Sequence, residues 1–306
     1  MNKKNMNDDI NINEEIDPEK AIKAEMVTEE RAAAQPLTVA YEGEAYKADA
    51  EALAAHIGAP CARIPKKAPC ARMAESAPAA RGLTLLLNDS GLSLTDGRLS
   101  LRADLADMLP RLRQNNLERE FLVKAARIKG LKAADGPLRA VDATAGLGED
   151  SLLLAAAGYE VELYEYDPVI AALLRDALRR ASESEHDALR EAAGRMRLNE
   201  GDSVSAMKSM EAAKGSPRQP DIILLDPMFP ERQKSALVKK KFQLLQQLES
   251  PCAGADESEL IYAAEAAGPR RIIIKRPLKG TYLAGRRPSY SITGKAVRYD
   301  CIVIPR

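Results

Sequence analysis

The 306-residue chain has no tryptophan, only two histidines and only four cysteines, and each scarcity excludes something. Cys61, Cys70, Cys252 and Cys301 form no CxxC pair, and the neighbourhood of His56, Cys61 and Cys70 matches no zinc-binding spacing. No metal site is therefore expected, and unpaired thiols suit a reducing, cytoplasmic setting. Net charge is missing too, because 45 Lys and Arg balance 45 Asp and Glu. That excludes bulk attraction to a polyanion, so any nucleic-acid contact has to come from local basic clusters. No apolar run approaches the ~18 residues of a membrane span, so no membrane partner is expected. The opening MNKKNMNDDININEE lacks the apolar stretch of a secretion signal.

What is present is a globular composition, 45% hydrophobic and 29% charged, on a chain long enough for two domains. Residues 1–30 are polar, rich in Asn and acids, and read as a disordered tail. Residues 31–110 read as a small α+β domain. In it LTVAYEGEAYKADAEALAAHIGAP implies a strand, a turn and an amphipathic helix, and RGLTLLLNDSGLSLTDG a hairpin turning at Asn88–Gly91. A helix is expected over 117–131, where Leu117, Phe121, Val123, Ala125 and Ile128 recur with helical spacing. Across 111–306 strands and helices alternate. LRAVDATAG, EVELYEYDP, MRLNEGDS, DIILLDP and RRIIIKRP read as strands, and YSITGKAVRYDCIVI as a closing antiparallel pair. The alternation predicts an α/β, Rossmann-like, mostly parallel sheet with an antiparallel C-terminal strand.

Open sheets of this kind bind ligands at the carboxyl ends of their strands. The first strand ends at Asp142 and runs into DATAGLGEDS, where Gly146 and Gly148 permit a tight turn and close approach of a ligand. The next helix begins with Glu149 and Asp150. Acids at the positive end of a helix would repel a pyrophosphate and suit an ammonium or sulfonium group; capping the helix is their plainer role. Ser151 stands in the third glycine position, so the GxGxxG fingerprint is incomplete. Glu165 and Tyr166 follow the second strand, where an acid accepts from ribose hydroxyls. Asp202 and Ser203 follow the third and offer an acceptor and a donor to an adenine edge, although Asp202 alone reads as a loop or cap residue. Asp226 ends the fourth strand. Together these carboxylates describe an adenosine with a cationic tail, which is S-adenosylmethionine.

The stretches VDATAGLGEDS, ELYEYDPVIAALL and above all LDPMFPERQKSALVKK resemble the ribosomal RNA small subunit methyltransferase J family, over roughly residues 117–304. The resemblance implies a class I methyltransferase sheet. It also implies methyl transfer from S-adenosylmethionine to a guanine N2 in small-subunit (16S) rRNA, with that rRNA or the 30S subunit as partner. The family's cofactor positions fall by match on Glu149, Asp150, Glu165, Tyr166, Asp202, Ser203 and Asp226, with Asp142, Gly146 and Gly148 beside them in the same turn. Where the family has a basic, glycine-rich stretch, this chain has PRLRQNNLE (110–118), in which Arg111 and Arg113 keep the basic character.

Asp226-Pro227-Met228-Phe229 is similar to the Asp-Pro-Pro-Tyr signature of methyltransferases that act on exocyclic amines. Such an amine is a poor nucleophile because its lone pair is delocalised into the ring. A carboxylate and a backbone carbonyl accepting its N–H groups draw the pair toward the donor. Catalysis is expected from Asp226 and Pro227, with Phe229 stacking on the extruded base. Phosphate contacts are expected from Lys234, Lys239, Lys240 and Lys241, and from Lys275, Arg276, Arg286 and Arg287, in a stretch that carries seven Lys or Arg and no acid between Lys275 and Arg298. A solvated face is the commoner fate of such runs. The rival readings are a methyltransferase for another amine in RNA, DNA or protein, a dinucleotide-dependent oxidoreductase, and a non-catalytic RNA-binding protein that keeps the fold. Glu149, Asp150 and Ser151 speak against the oxidoreductase, and the intact glycine turn and Asp226 against the non-catalytic protein.

Overall fold

The computed structural model describes residues 36–65, 82–130, 136–210, 215, 219–227, 243–245, 247–248 and 256–305. The tail 1–30, Phe229, Lys234 and Lys239–Lys241 lie outside them.

Two sheets carry the architecture. The first is built from β1 (Leu37–Glu42), β2 (Cys61–Ile64), β3 (Leu83–Asn88), β4 (Gly91–Thr95) and β5 (Ser100–Leu101), with α1 (Lys47–Ile57) between β1 and β2. Its order is β2-β1-β3-β4-β5. The expected hairpin forms between β3 and β4. Gly91 takes φ 97 there, and Asn88 accepts a hydrogen bond from the Ser90 N–H at 2.9 Å. α1 ends at Gly58 in the left-handed conformation, φ 72.

Three short helices follow, α2 (Leu109–Leu112), α3 (Gln114–Leu117) and α4 (Phe121–Ala126). The single helix expected over 117–131 is thus corrected to two pieces. Glu120 adopts φ −59, ψ 130, which breaks the helical path, and Arg127 is extended as well. The break is held from outside: Arg111 donates from Nε and Nη2 to the two Glu120 carboxylate oxygens at 2.7 and 2.8 Å. A two-pronged pair of this kind fixes both position and orientation. Of the expected stripe Leu117, Val123 and Ala125 are buried, but Phe121 is 37% exposed and Ile128 only half-buried; past the break it is Leu122 and Ala126 that turn inward beside them.

The second sheet has seven strands. β6 (Leu138–Asp142), β7 (Tyr159–Glu165), β8 (Met196–Glu200), β9 (Ile222–Leu225) and β10 (Arg271–Pro277) are parallel, and β12 (Val297–Val303) runs antiparallel to both β10 and β11 (Tyr290–Thr293). Its helices are α5 (Glu149–Ala156), α6 (Pro168–Ser182), α7 (Asp187–Ala193), α8 (Ser203–Met210) and α9 (Glu257–Ala266). Ile222, Ile223, Leu224 and Leu225 are all fully buried, as the unbroken apolar run requires of a strand covered on both faces. α6 starts cleanly because Asp167 accepts from the Val169 and Ile170 N–H groups and Pro168 occupies its first turn.

The strand order is β11-β12-β10-β9-β6-β7-β8. The chain therefore winds outward from β6 through β7 to β8, then returns to the other flank of β6 with β9. The carboxyl ends of β6 and β9 flank this reversal, the point at which such sheets open a ligand crevice.

Candidate active site

The glycine turn after β6 is tied down on all sides. The Ala143 N–H donates to the Leu224 carbonyl at 3.1 Å, and the Ala145 N–H to the Tyr164 carbonyl at 3.0 Å. Asp142, at the end of β6, is 2% exposed. It accepts from the Ser151 hydroxyl at 2.5 Å and the Thr144 N–H at 3.1 Å. Burial pushes its carboxyl up to about 7 against those bonds, and the negative charges of Asp150 and Asp226 add to the rise. Gly146 and Gly148 take φ 53 and φ 79. The Gly146 N–H donates to Glu165 at 2.9 Å, and the other Glu165 oxygen accepts from the Asp167 N–H at 2.9 Å. Glu165 thus clamps the turn from the end of β7 and keeps a second lone pair on each oxygen. Its carboxyl, too, is pushed by burial up to about 7.

Across the switch point, the Asp226 N–H donates to the Thr144 hydroxyl at 2.7 Å, which joins the ends of β9 and β6. Lys275, from β10, places its ammonium 2.6 Å from Asp150 and 2.8 Å from Asp226. Desolvation, with the Asp150 charge added, holds the Asp226 carboxyl above its ordinary value, and Lys275 limits that rise without cancelling it. The two acids in turn hold the Lys275 ammonium well above its ordinary value despite its burial.

The remaining expected residues divide. Glu149 opens α5 and is exposed, and Tyr166 stands 48% exposed beside the turn. Asp202 caps α8, accepting from the Val204 N–H at 3.0 Å and from the Ser205 N–H and hydroxyl at 3.1 and 2.6 Å; Ser203 is the first residue of that helix. Pro227 follows Asp226 directly at the mouth. Lys275 and Arg276 turn inward rather than toward a phosphate. Arg276 is 3% exposed and donates from Nε to the Thr281 carbonyl at 2.9 Å, with Glu257 3.6 Å away. Arg286 lies on the surface but pairs with Glu265 at 2.7 Å; Arg287 is exposed. Arg111, read as a remnant of a basic edge, is the partner of Glu120.

Two participants went unnamed in the sequence, Thr144 and Tyr299. Tyr299 faces Lys275 across the β10–β12 ladder. Thr144 sits within the glycine turn itself, but its bond to Asp226 spans 82 residues and has no local signal, and Tyr299 is brought to the site only by strand pairing. A separate cleft of about 420 Å³ opens near Leu138, Tyr159 and Arg195, at the amino ends of β6 and β7, and holds none of these acids. Among the described residues no group of three His, Cys, Asp or Glu is placed to hold a metal ion, and no helix is long and apolar enough to cross a membrane.

The sequence model of a family described as "Putative SAM-dependent methyltransferase" matches residues 70–304. The chain is also 38% identical over 273 residues to "Ribosomal RNA small subunit methyltransferase J" of Thioalkalivibrio sulfidiphilus, covering 87% of this chain and 97% of that protein. The chain belongs to the small subunit methyltransferase J family. The protein of the same name from Alkalilimnicola ehrlichii is 39% identical, over 71% of this chain and 78% of its own length. Among solved structures, a SAM-dependent methyltransferase from Neisseria gonorrhoeae superposes with a TM-score of 0.61 at 27% identity, covering 87% of this chain and 96% of that one. The seven-stranded sheet is thus a class I methyltransferase sheet, the chain is an enzyme, and its cofactor is S-adenosylmethionine. The residues present fit that cofactor in sign: Asp142, Asp150, Glu165 and Asp226 stand about the glycine turn against the ammonium of Lys275, and an acid-rich surround favours a sulfonium over a pyrophosphate.

Proposed function

We propose that the enzyme methylates the N2 amine of a guanine in small-subunit rRNA, with Asp226 receiving that amine. A cytoplasmic address follows from such a substrate. The observation that carries the reading is the position of Asp226: on the switch point, one hydrogen bond from the glycine turn and 2.8 Å from a cation. S-adenosylmethionine supplies an electrophilic methyl group on a sulfonium, a leaving group that needs no acid. The protein's share is to hold the cofactor and aim the amine. Glu165 and Tyr166 would meet the ribose and Asp202 with Ser203 the adenine edge, while Asp142 keeps the turn in shape through Thr144 and Ser151.

Asp226 accepts one amine N–H, and the carbonyl of Pro227 would accept the other. Both bonds draw the lone pair out of the ring plane toward the methyl group. As the nitrogen gains its fourth bond it becomes acidic, and the carboxylate takes the proton. Phe229 would stack on the extruded base. The lysine run Lys234 and Lys239–Lys241, with Arg287, would contact phosphates, and Arg286 would join them on leaving Glu265.

Asp226→Asn keeps the shape and one acceptor oxygen but removes the charge. Single-turnover methylation of small-subunit rRNA, with the modified nucleoside identified by mass, should slow by about two to three orders of magnitude. RNA affinity should stay nearly intact. Near-normal turnover in a folded variant would reduce Asp226 to a turn residue, and methyl groups on another nucleoside would replace guanine as the target.

A further inference from the structure

Three carboxylates, Asp142, Asp150 and Asp226, meet at the switch point, and among the described residues a single ammonium sits between two of them. The groups facing Asp226 are Asp142 from the end of β6, Asp150 from α5, and Lys275 and Arg276 from β10. Tyr299, from β12, feels Asp150, Asp226 and Lys275 in turn. Arg276 is committed to Thr281 and Glu257. Lys275 alone bridges, 2.6 Å from Asp150 and 2.8 Å from Asp226, with its side chain 26% exposed.

We infer that Lys275 is a positioning residue for the methyl transfer: from between Asp150 and Asp226, its ammonium keeps the Asp226 carboxylate charged and aimed. The inference rests on the reading of Asp226 as the amine acceptor. Without a cation, two carboxylates reaching for one point repel each other and one takes up a proton. A protonated Asp226 has lost the charge that polarises the amine, and it cannot receive the amine's proton after transfer. Lys275 itself neither touches the base nor exchanges a proton; it sets the charge state of the group that does. Its side chain is anchored for this. Lys275 lies opposite Tyr299 in the ladder, and burial of Ile272, Ile273 and Ile274 fixes the register of β10.

The test is the pH dependence of kcat/KM for rRNA methylation, measured between about pH 5.5 and 9.5 for the wild type, Lys275→Met, Lys275→Arg and Asp150→Asn. An opposite charge at this range moves a carboxyl by about 1–3 units. The acid limb of Lys275→Met should therefore rise by at least about one unit, so that its deficit is largest near neutrality and shrinks in alkali. Lys275→Arg keeps the charge and should keep the wild-type limb. Asp150→Asn relieves the repulsion and should move the limb down, which serves as the deciding measurement if Lys275→Met melts without cooperativity. A folded Lys275→Met protein with the wild-type limb and an equal deficit at every pH would make Lys275 a structural pair only, and so would an unmoved limb in Asp150→Asn. Asp226→Asn run alongside separates the two failures. If it stays active, the reading of Asp226 falls; if it is inactive while the limb stays put, only the role of Lys275 falls.

Discussion

At Glu165 two backbone N–H groups stabilise the carboxylate and burial opposes them, and burial prevails: the carboxyl sits up at about 7 rather than at its ordinary 4.5. Its folded value is above its unfolded one. The stability it contributes is therefore fully present below about pH 4.5 and is lost as pH rises through about 7. A cofactor that needs Glu165 as an ionised acceptor for ribose hydroxyls pulls the same proton off. Affinity for S-adenosylmethionine should then rise about tenfold between pH 6 and pH 8, following the ionised fraction of a group titrating near 7. Calorimetry at both pH values measures it, and Glu165→Gln should flatten the dependence. An undiminished slope in that variant would move the titration to Asp142, whose carboxyl is pushed up to about 7 as well.

The turn between β6 and α5 shows how much two glycines in one element can differ. Gly148 caps α5 at φ 79, and a Cβ there would meet Leu174 Cδ1 of α6 at 2.6 Å; at Gly146, φ 53, a Cβ would meet nothing within 4 Å. Gly146→Ala should cost only the left-handed conformation, about 1–2 kcal/mol. Gly148→Ala adds a collision with a fully buried leucine and should lower the melting temperature further, by roughly another 2–4 °C for each extra kcal/mol. Equal losses in thermal melts would show that α6 gives way freely. The glycine turn, the seven strands and the acids at their ends were legible in the sequence because each rests on local chemistry, whether an apolar run, a glycine spacing or an Asp beside a strand end. The broken helix over 117–131 was not, because Arg111 imposes the break on Glu120 from nine residues away. Nor was the inward turn of Lys275, whose partner Asp150 is 125 residues distant. A run of basic residues looks alike whether it faces phosphate or a buried acid; only the sheet register tells them apart.

One buried cluster runs across both sheets: Leu85 and Leu94 of the first belong to it together with Leu173 and Leu174 of α6. Asp176 stitches their polar rim. It accepts from the Leu92 N–H on β4 at 3.0 Å and from Arg180 Nε at 2.8 Å, while Arg180 also reaches the Ala103 carbonyl. A second stitch joins His56 of α1 to Glu200 at the end of β8 at 2.7 Å. Burial pushes the Asp176 carboxyl up, but hydrogen bonds from Arg180, the Leu92 N–H and Arg179 outweigh it and hold the group below its ordinary value. A depressed folded value means that this contribution is present above the unfolded pKa and is lost only as pH falls through the still lower folded one. Asp176→Ala strands a backbone donor and a guanidinium, at a cost of about 1–3 kcal/mol. Its melting deficit should be constant from about pH 5 to pH 8 and shrink in stronger acid. Because the cluster is shared, scanning calorimetry of the variant should still show residues of both sheets unfolding in one transition, at a lower temperature. A split into two transitions, with only the earlier one shifted, would mean that the five-stranded sheet unfolds on its own and that the contact at Asp176 joins two independent bodies.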